Sequence, residues 1–136
     1  MNPDVERFEM NIAIKPDDID QLGHVNNVVY LRWVQDLAVA HWQTAALAED
    51  QAKLLWVVVR HEIDYKRPAF LEDEIIGRTW VGKASRRMFD RHTEFVRASD
   101  QRVLARVRTV WCPVDRQTGK PTTVSSTVRE QFSAEQ

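Results

Sequence analysis

The sequence predicts an α+β fold in which one long helix lies on an antiparallel sheet of about five strands. Only one long stretch, Val28 to about Leu47, carries the apolar period of an α-helix. The other regular segments alternate apolar and polar residues as half-buried strands do, one before this helix and four after it. A helix of that length is a rod of roughly 30 Å, and its apolar face needs a sheet to cover.

Length and composition favour one soluble domain over residues 1–136. With 19 basic and 20 acidic side chains the net charge is -1, so we expect neither nucleic acid nor membrane as a partner. The single cysteine, Cys112, and the lack of an apolar signal segment favour the cytoplasm. The longest apolar run, Leu54–Val59, is too short to span a bilayer.

The first element is a predicted strand, because Phe8, Met10, Ile12 and Ile14 alternate with polar or small residues. Pro16 ends it, since proline lacks the N–H that a strand ladder needs. An alternation of this kind is typical of a strand with one buried face.

Residues 17–26 have the composition of a loop that leads into the long helix. Gly23 can adopt a positive φ without a steric cost. Asn26 or Asn27 can cap the helix, because an asparagine side chain accepts an unpaired N–H of the first turn. The predicted helix buries a stripe formed by Tyr30, Leu31, Val34, Leu37, Ala38, His41 with Trp42, and Ala45.

The second half of the chain is predicted to be mostly strand. Residues 48–53 are polar and indicate a turn, and Ser126 or Thr127 caps a short final helix ending near Phe132. In the first of four strands Val57 and Val59 are placed on the same face as Ile63. In the last strand Leu104 is predicted to lie on the largely solvent-exposed face. The four predicted strands are Trp56–Tyr65, Glu74–Ala84, Arg87–Arg97 and Arg102–Cys112.

Two aspartates precede the long helix and are candidates for chemistry. Asp20 is closer than Asp18 to the glycine turn and to the helix N-terminus, whose free N–H groups can polarise a carbonyl. A carboxylate there can act as a nucleophile or as a general base. The alternative is that both aspartates only cap turns and the helix. His24 can orient a ligand or serve as a hydrogen-bonded structural residue.

Other kinds of site lack support in the sequence. The histidines are scattered and Cys112 stands alone, so we predict no metal and no cofactor. There is no Gly-x-Ser-x-Gly elbow and no glycine-rich phosphate loop. A basic cluster of Lys83, Arg86 and Arg87 at a strand turn has the chemistry of a phosphate site, although the residues alone favour a solvated turn, since arginine is generally exposed.

The segment Asp18-Ile19-Asp20-Gln21-Leu22-Gly23-His24-Val25-Asn26-Asn27, followed by Tyr30, resembles the signature of hotdog-fold acyl-CoA thioesterases of the 4-hydroxybenzoyl-CoA thioesterase type. Two further stretches are similar to that family: Tyr65-Lys66-Arg67-Pro68 with Leu71-Glu72-Asp73-Glu74, and Ser85-Arg86-Arg87-Met88-Phe89. The resemblance covers about Phe8 to Gly119, which is most of the chain.

The resemblance implies a sheet wrapped around the long helix, and homodimers with a continuous sheet that often pair into homotetramers. It implies that Asp20, His24 and Asn27 are the catalytic residues, with Asp20 as the reacting carboxylate. Gly23 and Asn26 would help to bind substrate, because helix N-terminal N–H groups near Asn26 and Asn27 would hold the thioester carbonyl. Arg86 and Arg87 would hold coenzyme A phosphates, the least uniform feature among hotdog enzymes.

The leading functional hypothesis is therefore hydrolysis of a small-molecule acyl-CoA thioester to the free acid and coenzyme A. Thioesters need no metal for this reaction, since a placed carboxylate and an oxyanion donor suffice. An acyl-carrier-protein thioesterase and a non-catalytic acyl-CoA binding module stay as alternatives. A hotdog dehydratase and the thioesterases with a His-Gly-Gly segment fit poorly, because their motifs are absent.

Overall fold

The computed structural model describes residues 7–133. Five strands form one antiparallel sheet in the order β1-β3-β4-β5-β2. The predicted α+β arrangement of a five-stranded antiparallel sheet with one long helix is thereby confirmed. The strands are β1 (Phe8–Ile12), β2 (Leu54–Tyr65), β3 (Ile75–Ala84), β4 (Phe89–Arg97) and β5 (Val103–Asp115), and the helices are α1 (Asn27–Ala45), α2 (Ala48–Lys53) and α3 (Ser126–Phe132).

The long helix α1 starts where the sequence predicts. Asn26 is its N-cap, and the Asn26 side chain accepts a hydrogen bond from the backbone N–H of Val28 at 3.1 Å. Its inner face contacts the sheet closely at Gly77, where an added Cβ would lie 3.0 Å from Leu37 Cδ2. The glycine therefore allows the close approach of helix and sheet. The buried residues of α1 are Val29, Tyr30, Trp33, Val34, Leu37, Ala38 and His41.

The space between α1 and the sheet holds two apolar clusters. One lies at the N-terminal half of α1, where Val34 and Leu37 are fully buried together with Phe95. The other lies at its C-terminal half, where α3 contributes Val128 and Phe132. Burial of this area is the main stabilising term of such a fold.

The strand β2 corrects the prediction of which side chains share a face. Its register against β5 shifts between Val58 and Arg60, so that Val59 forms a bulge. Val57 and Val59 are consequently exposed, while Val58 packs on the apolar cluster. Placing Val57 and Val59 with Ile63 was wrong, because an extra residue reverses the alternation on one side of the bulge.

Three smaller predictions also need correction. Residues 48–53 form the short helix α2 instead of a turn, with acidic residues in its first turn and Lys53 in its last. The N-cap of α3 is Ser125, whose side chain accepts a hydrogen bond from Val128 N at 3.2 Å. Leu104 is fully buried beside an irregularity in the β4–β5 register, not on a wet face.

The two ends of the sheet carry different loops, and the loop that leads into α1 lies at only one of them. The end of β2 at Tyr65 lies with the start of β3 and the residues that lead into α1. The opposite end holds the start of β2, the β3–β4 turn and the end of β5. The outer edge of β2 has no partner strand within residues 7–133. No helix in this range is long and apolar enough to cross a membrane.

Candidate active site

The residues before α1 form a tight, closed loop. Ile19 and Val25 make an isolated antiparallel bridge, and inside it Asp20 N donates to His24 O at 2.8 Å. Gly23 has φ of 81° at the loop tip, and its N–H donates to Asp20 O at 3.0 Å. The predicted glycine turn is confirmed, because this left-handed conformation favours glycine. Asp20 is thereby fixed beside the chain segment that enters the helix.

Backbone hydrogen bonds attach this loop to the rest of the fold. Asn26 N donates to Asp18 O at 2.8 Å, and Val25 N donates to Ala69 O at 2.8 Å. The Tyr65 hydroxyl at the end of β2 donates to Asn27 O at 3.0 Å. The N-terminus of α1 is therefore held against the end of β2, the strand with an open edge.

Asp18 has its carboxylate fully engaged in structure. It is 3% exposed, and it accepts hydrogen bonds from Lys15 N at 2.9 Å and from Arg32 Nη2 at 2.8 Å. Burial raises the pKa of this carboxyl, but the hydrogen bonds from Lys15 and Arg32 together outweigh burial and lower it. A buried, paired carboxylate of this kind stabilises the loop and is poorly placed to meet a substrate.

Asp20 is half-buried and only partly engaged. Its Oδ1 accepts hydrogen bonds from Leu22 N at 2.9 Å and His24 N at 3.2 Å, as in an Asx turn. Its Oδ2 makes no hydrogen bond to any residue in the range 7–133. One oxygen thus orients the carboxylate and the other stays free for chemistry, so the capping and reactive interpretations of Asp20 are compatible.

The start of α1 offers one backbone donor that has no partner among residues 7–133. The N–H of Asn26 bonds to Asp18 O, that of Val28 bonds to the Asn26 side chain, and that of Val29 bonds to Asn26 O. The N–H of Asn27 has no partner within the described chain. The sequence pointed to the neighbourhood of Asn26 and Asn27, and the structure narrows the available donor to Asn27 N.

His24 and two exposed apolar residues complete the surroundings of the loop. The His24 ring lies edge-on to Phe70 with centroids 5.2 Å apart, and it is half-buried. Leu22 is 78% exposed and Val28 is 66% exposed, on either side of the loop tip in the chain. The sequence reasoning did not single out this apolar pair. Exposed leucine and valine next to free polar groups are typical of a ligand or protein contact surface.

The arginines predicted to bind phosphate lie far from Asp20 in the same chain. Arg86 and Arg87 are exposed in the turn between β3 and β4, where Ser85 Oγ accepts from Arg87 N at 3.3 Å. Asp20 lies at the other end of the sheet, and the ten residues of β3 alone span roughly 30 Å. One chain therefore does not bring Arg86 and Arg87 to Asp20.

A second feature lies at the C-terminal half of α1. A cavity of about 220 Å³ is lined there by side chains of α1, β2, β4 and β5. Arg91 lines it and is 4% exposed, with Nη1 bonded to His41 Nδ1 at 2.9 Å and to Thr79 Oγ1 at 3.1 Å. The sequence reasoning missed Arg91. The available signal was an arginine at an inward position of an alternating strand.

The side chains that commonly ligate metals are dispersed over the fold. Within residues 7–133 no three side chains of His, Cys, Asp or Glu are grouped so that they can hold a metal ion. His41 is neutral at physiological pH, because burial and the adjacent Arg91 charge lower its pKa to about 3.

Comparison with known proteins identifies the family. Residues 14–132 match the family model described as the thioesterase-like superfamily. The chain belongs to this superfamily. The predicted resemblance to hotdog-fold thioesterases of the 4-hydroxybenzoyl-CoA thioesterase type is confirmed, and with it the sheet wrapped around a long helix.

Two solved thioesterases share the fold. A 1,4-dihydroxy-2-naphthoyl-CoA thioesterase from Synechocystis superposes with a TM-score of 0.78 at 18% identity, over 93% of this chain and 95% of that one. A thioesterase from Thermus thermophilus, crystallised with coenzyme A and Zn, gives a TM-score of 0.76 at 24% identity, over 91% and 90% of the two chains. At these identities the likeness establishes the fold alone.

A curated relative is similar at the sequence level. A chloroplastic acyl-[acyl-carrier-protein] hydrolase of Cuphea viscosissima is 24% identical over 92% of this chain. The chain spans 32% of the length of that enzyme.

Proposed function

We propose that this superfamily member hydrolyses acyl-CoA thioesters at a site formed by Asp20 and the N-terminus of α1. The observation that carries the proposal is that a carboxylate oxygen, Asp20 Oδ2, and a helix N-terminal donor, Asn27 N, lie at the same loop and both lack a hydrogen-bond partner within residues 7–133. These are the two groups that thioester hydrolysis requires, a base or nucleophile and an oxyanion donor.

The reaction follows from these two groups. The thioester carbonyl oxygen accepts the Asn27 N–H, and the positive end of the α1 dipole stabilises the oxyanion that forms. Asp20 removes a proton from water, the resulting hydroxide adds to the carbonyl carbon, and the C–S bond breaks. The departing thiolate takes the proton from Asp20, which leaves the free acid and the coenzyme A thiol.

Direct attack by Asp20 is the second route. It forms an acyl anhydride with release of the thiolate, and water then cleaves the anhydride. The two routes differ in the fate of an oxygen label. A single turnover in ¹⁸O water places the label in the Asp20 carboxylate only if water attacks the anhydride at the aspartyl carbon, and repeated turnovers accumulate it there. Label in Asp20 therefore assigns the anhydride route, whereas attack of water at the acyl carbon leaves Asp20 unlabelled in both routes.

The open edge of β2 supports a homodimer. β2 is 12 residues long and its exposed apolar residues include Leu55, Val57 and Val59, a combination that single chains usually avoid. Antiparallel pairing of two β2 strands would continue the sheet and cover these residues. We extend the proposal to a dimer of this kind, with homotetramers as a further assembly.

Such a dimer brings the phosphate-binding candidates to the catalytic loop. Antiparallel pairing places the β3–β4 turn of the second protomer at the sheet end that carries Asp20 of the first. In the continuous sheet, β4 and β3 of the second protomer lie three and four strand spacings from β2 of the first, which is roughly 14–19 Å. Coenzyme A is long enough to span such a distance, so Arg86 and Arg87 of one protomer would bind its phosphates while Asp20 of the other acts on the thioester.

A carrier-protein substrate is the second candidate, favoured by the similarity to the chloroplastic hydrolase. The two candidates differ in the group that carries the acyl chain. A carrier-protein enzyme should depend little on the 3'-phosphate of coenzyme A and on Arg86 and Arg87.

The experiment is an assay of thiol release with matched acyl groups on coenzyme A, on 3'-dephospho-coenzyme A and on an acyl carrier protein. We expect the highest kcat/KM with coenzyme A, and a loss for Arg86→Ala with Arg87→Ala that is absent on the dephospho substrate. Preference for the carrier protein would assign the second candidate. Binding of acyl-CoA without thiol release from any substrate would show a non-catalytic module.

A further inference from the structure

The cavity at the C-terminal half of α1 has an unusual charge. Its lining includes two guanidinium groups, Arg91 and Arg116, and no aspartate or glutamate. The rest of the lining is mainly apolar and aromatic, and the Trp56 ring contacts both Trp42 and Phe89. A cavity with positive charge and no carboxylate is suited to a ligand with an apolar body and an anionic group.

Arg91 is the buried member of that pair. Only Nη1 makes hydrogen bonds within residues 7–133, and both of its acceptors, His41 Nδ1 and Thr79 Oγ1, are neutral. Burial lowers the pKa of Arg91 to about 10, which still leaves it charged at neutral pH. None of the ion pairs within this range includes Arg91. Desolvation makes an unpaired buried charge unfavourable, and a ligand anion would offset this cost.

Two tryptophans of the same lining carry unused donors. The indole N–H groups of Trp56 and Trp111 are buried and have no hydrogen-bond partner in the described chain. Buried donors without partners are rare in folded proteins, and each calls for an acceptor. The lining thus combines an unpaired cation with unused donors, and an oxygen anion would complement both.

The cavity also has a defined relation to the catalytic loop. Within one chain, Asn27 and Trp42 lie at opposite ends of α1, roughly 22 Å apart at 1.5 Å per residue. In a two-fold dimer centred on the middle of β2, Leu54–Trp56 of one protomer face Ile63–Tyr65 of the other. Since Tyr65 holds Asn27 through its hydroxyl, the cavity of one protomer then adjoins the carbonyl site of its partner.

We propose that this cavity receives the acyl group of the thioester, and that Arg91 binds a carboxylate at the end of the acyl group far from the thioester. The inference rests on the proposed function and names its substrate class, the ω-carboxyacyl thioesters. The aromatic walls hold the methylene chain, and the cavity volume fits an acyl group but not coenzyme A itself.

The test compares matched substrates that differ only at the far end of the acyl group. Butyryl-, pentanoyl-, hexanoyl- and octanoyl-CoA are paired with succinyl-, glutaryl-, adipoyl- and suberoyl-CoA, and thiol release gives kcat/KM for each. We expect the wild type to prefer the carboxylate member of at least one pair by about 10- to 100-fold, the range for a hydrogen-bonded ion pair. Preference for the methyl-ended member at every length would overturn the proposal.

Variants then assign the preference to Arg91. Arg91→Met keeps a long apolar side chain in place of the buried cation and should abolish the preference. Trp111→Phe keeps an aromatic side chain, removes one donor and should reduce the preference by a smaller factor of about 3. Arg106→Met removes the same charge from an exposed position on β5 and should leave the preference intact. An unchanged preference in a folded Arg91→Met protein contradicts the proposal, and Arg91→Gln serves if the methionine variant does not fold.

A binding measurement separates this proposal from the proposed function. Calorimetry with Asp20→Asn, in which turnover is suppressed, reports the affinity for each pair directly. If no acyl-CoA is hydrolysed by the wild type, the catalytic proposal fails. Tighter binding of the ω-carboxyacyl member, lost when Arg91→Met is added to Asp20→Asn, would still support the site. Equal affinities for both members at every length would refute it.

Discussion

Replacing Asn27 by proline removes the proposed carbonyl donor without removing the helix. Asn27 is the first residue of α1, the position at which proline is well tolerated because its N–H would have no helical partner. The preceding residue, Asn26, has φ of -61° and ψ of 139°, which is the conformation that a following proline requires. The carbonyl of Asn27, which accepts the Tyr65 hydroxyl, is kept.

The expected effect is large on catalysis and small on stability. Loss of one oxyanion donor typically lowers kcat by about 10²- to 10³-fold, and Asn27 N is the one free N–H identified at the start of α1 within residues 7–133. Proline at this position should change the free energy of unfolding by less than about 1 kcal/mol. The two effects therefore separate in a single variant.

The assay is steady-state thiol release from the best acyl-CoA substrate, with thermal unfolding measured on the same preparations. Asn27→Ala keeps the backbone N–H and removes the side chain. Comparing its rate with that of Asn27→Pro therefore separates the loss of the N–H from the loss of the side chain. We expect the proline variant to be at least about 100-fold slower than the alanine variant, the lower end of the range for one donor. Equal rates in the two variants, with both proteins folded, would refute the role of Asn27 N.

Three further predictions concern stability and assembly. Asp18→Asn should lower the free energy of unfolding by about 2 kcal/mol at pH 7, since hydrogen bonds hold the pKa of the Asp18 carboxyl below its ordinary value of 3.8. In denaturation experiments this difference should diminish as the pH falls below 3.8 and vanish below the folded-state pKa, and a difference that does not change with pH contradicts the account. Gly77→Ala should lower the free energy of unfolding, measured by thermal denaturation, by about 1–3 kcal/mol because its Cβ would lie too close to Leu37. An unchanged Tm would show that the helix can shift. Val59→Lys should yield monomers in sedimentation velocity by placing charges at the centre of the β2 edge, and an unchanged dimer would exclude that interface.

The sequence predicted the parts of the fold that depend on local patterns. Alternation located five strands and the helical period located α1, because one buried face produces each pattern. Asn26 and Gly23 were also predictable, since a cap and a left-handed turn each demand particular side chains. The bulge at Val59 was not, because valine fits a regular strand as well as a bulge and only the register against β5 decides.

The candidate site was predictable to a similar degree. The motif selected Asp20, and the contacts of Asp18 with Lys15 and Arg32 now give a physical reason for that preference. The isolation of Arg91 from every carboxylate of the described chain could not be predicted, because it depends on which side chains five strands bring together. Long-range placement of this kind leaves no local pattern in the sequence.

Substitution of Asp20 by asparagine tests the central claim most directly. The amide side chain would keep an oxygen to accept the N–H groups of Leu22 and His24, so the loop should stay folded while the carboxylate is lost. Asp17→Asn, at an exposed neighbouring position, removes the same charge without touching the site. In the thiol-release assay we predict a loss of about 10²- to 10⁴-fold in kcat for Asp20→Asn and none for Asp17→Asn. Equal turnover by the wild type and Asp20→Asn would contradict the account.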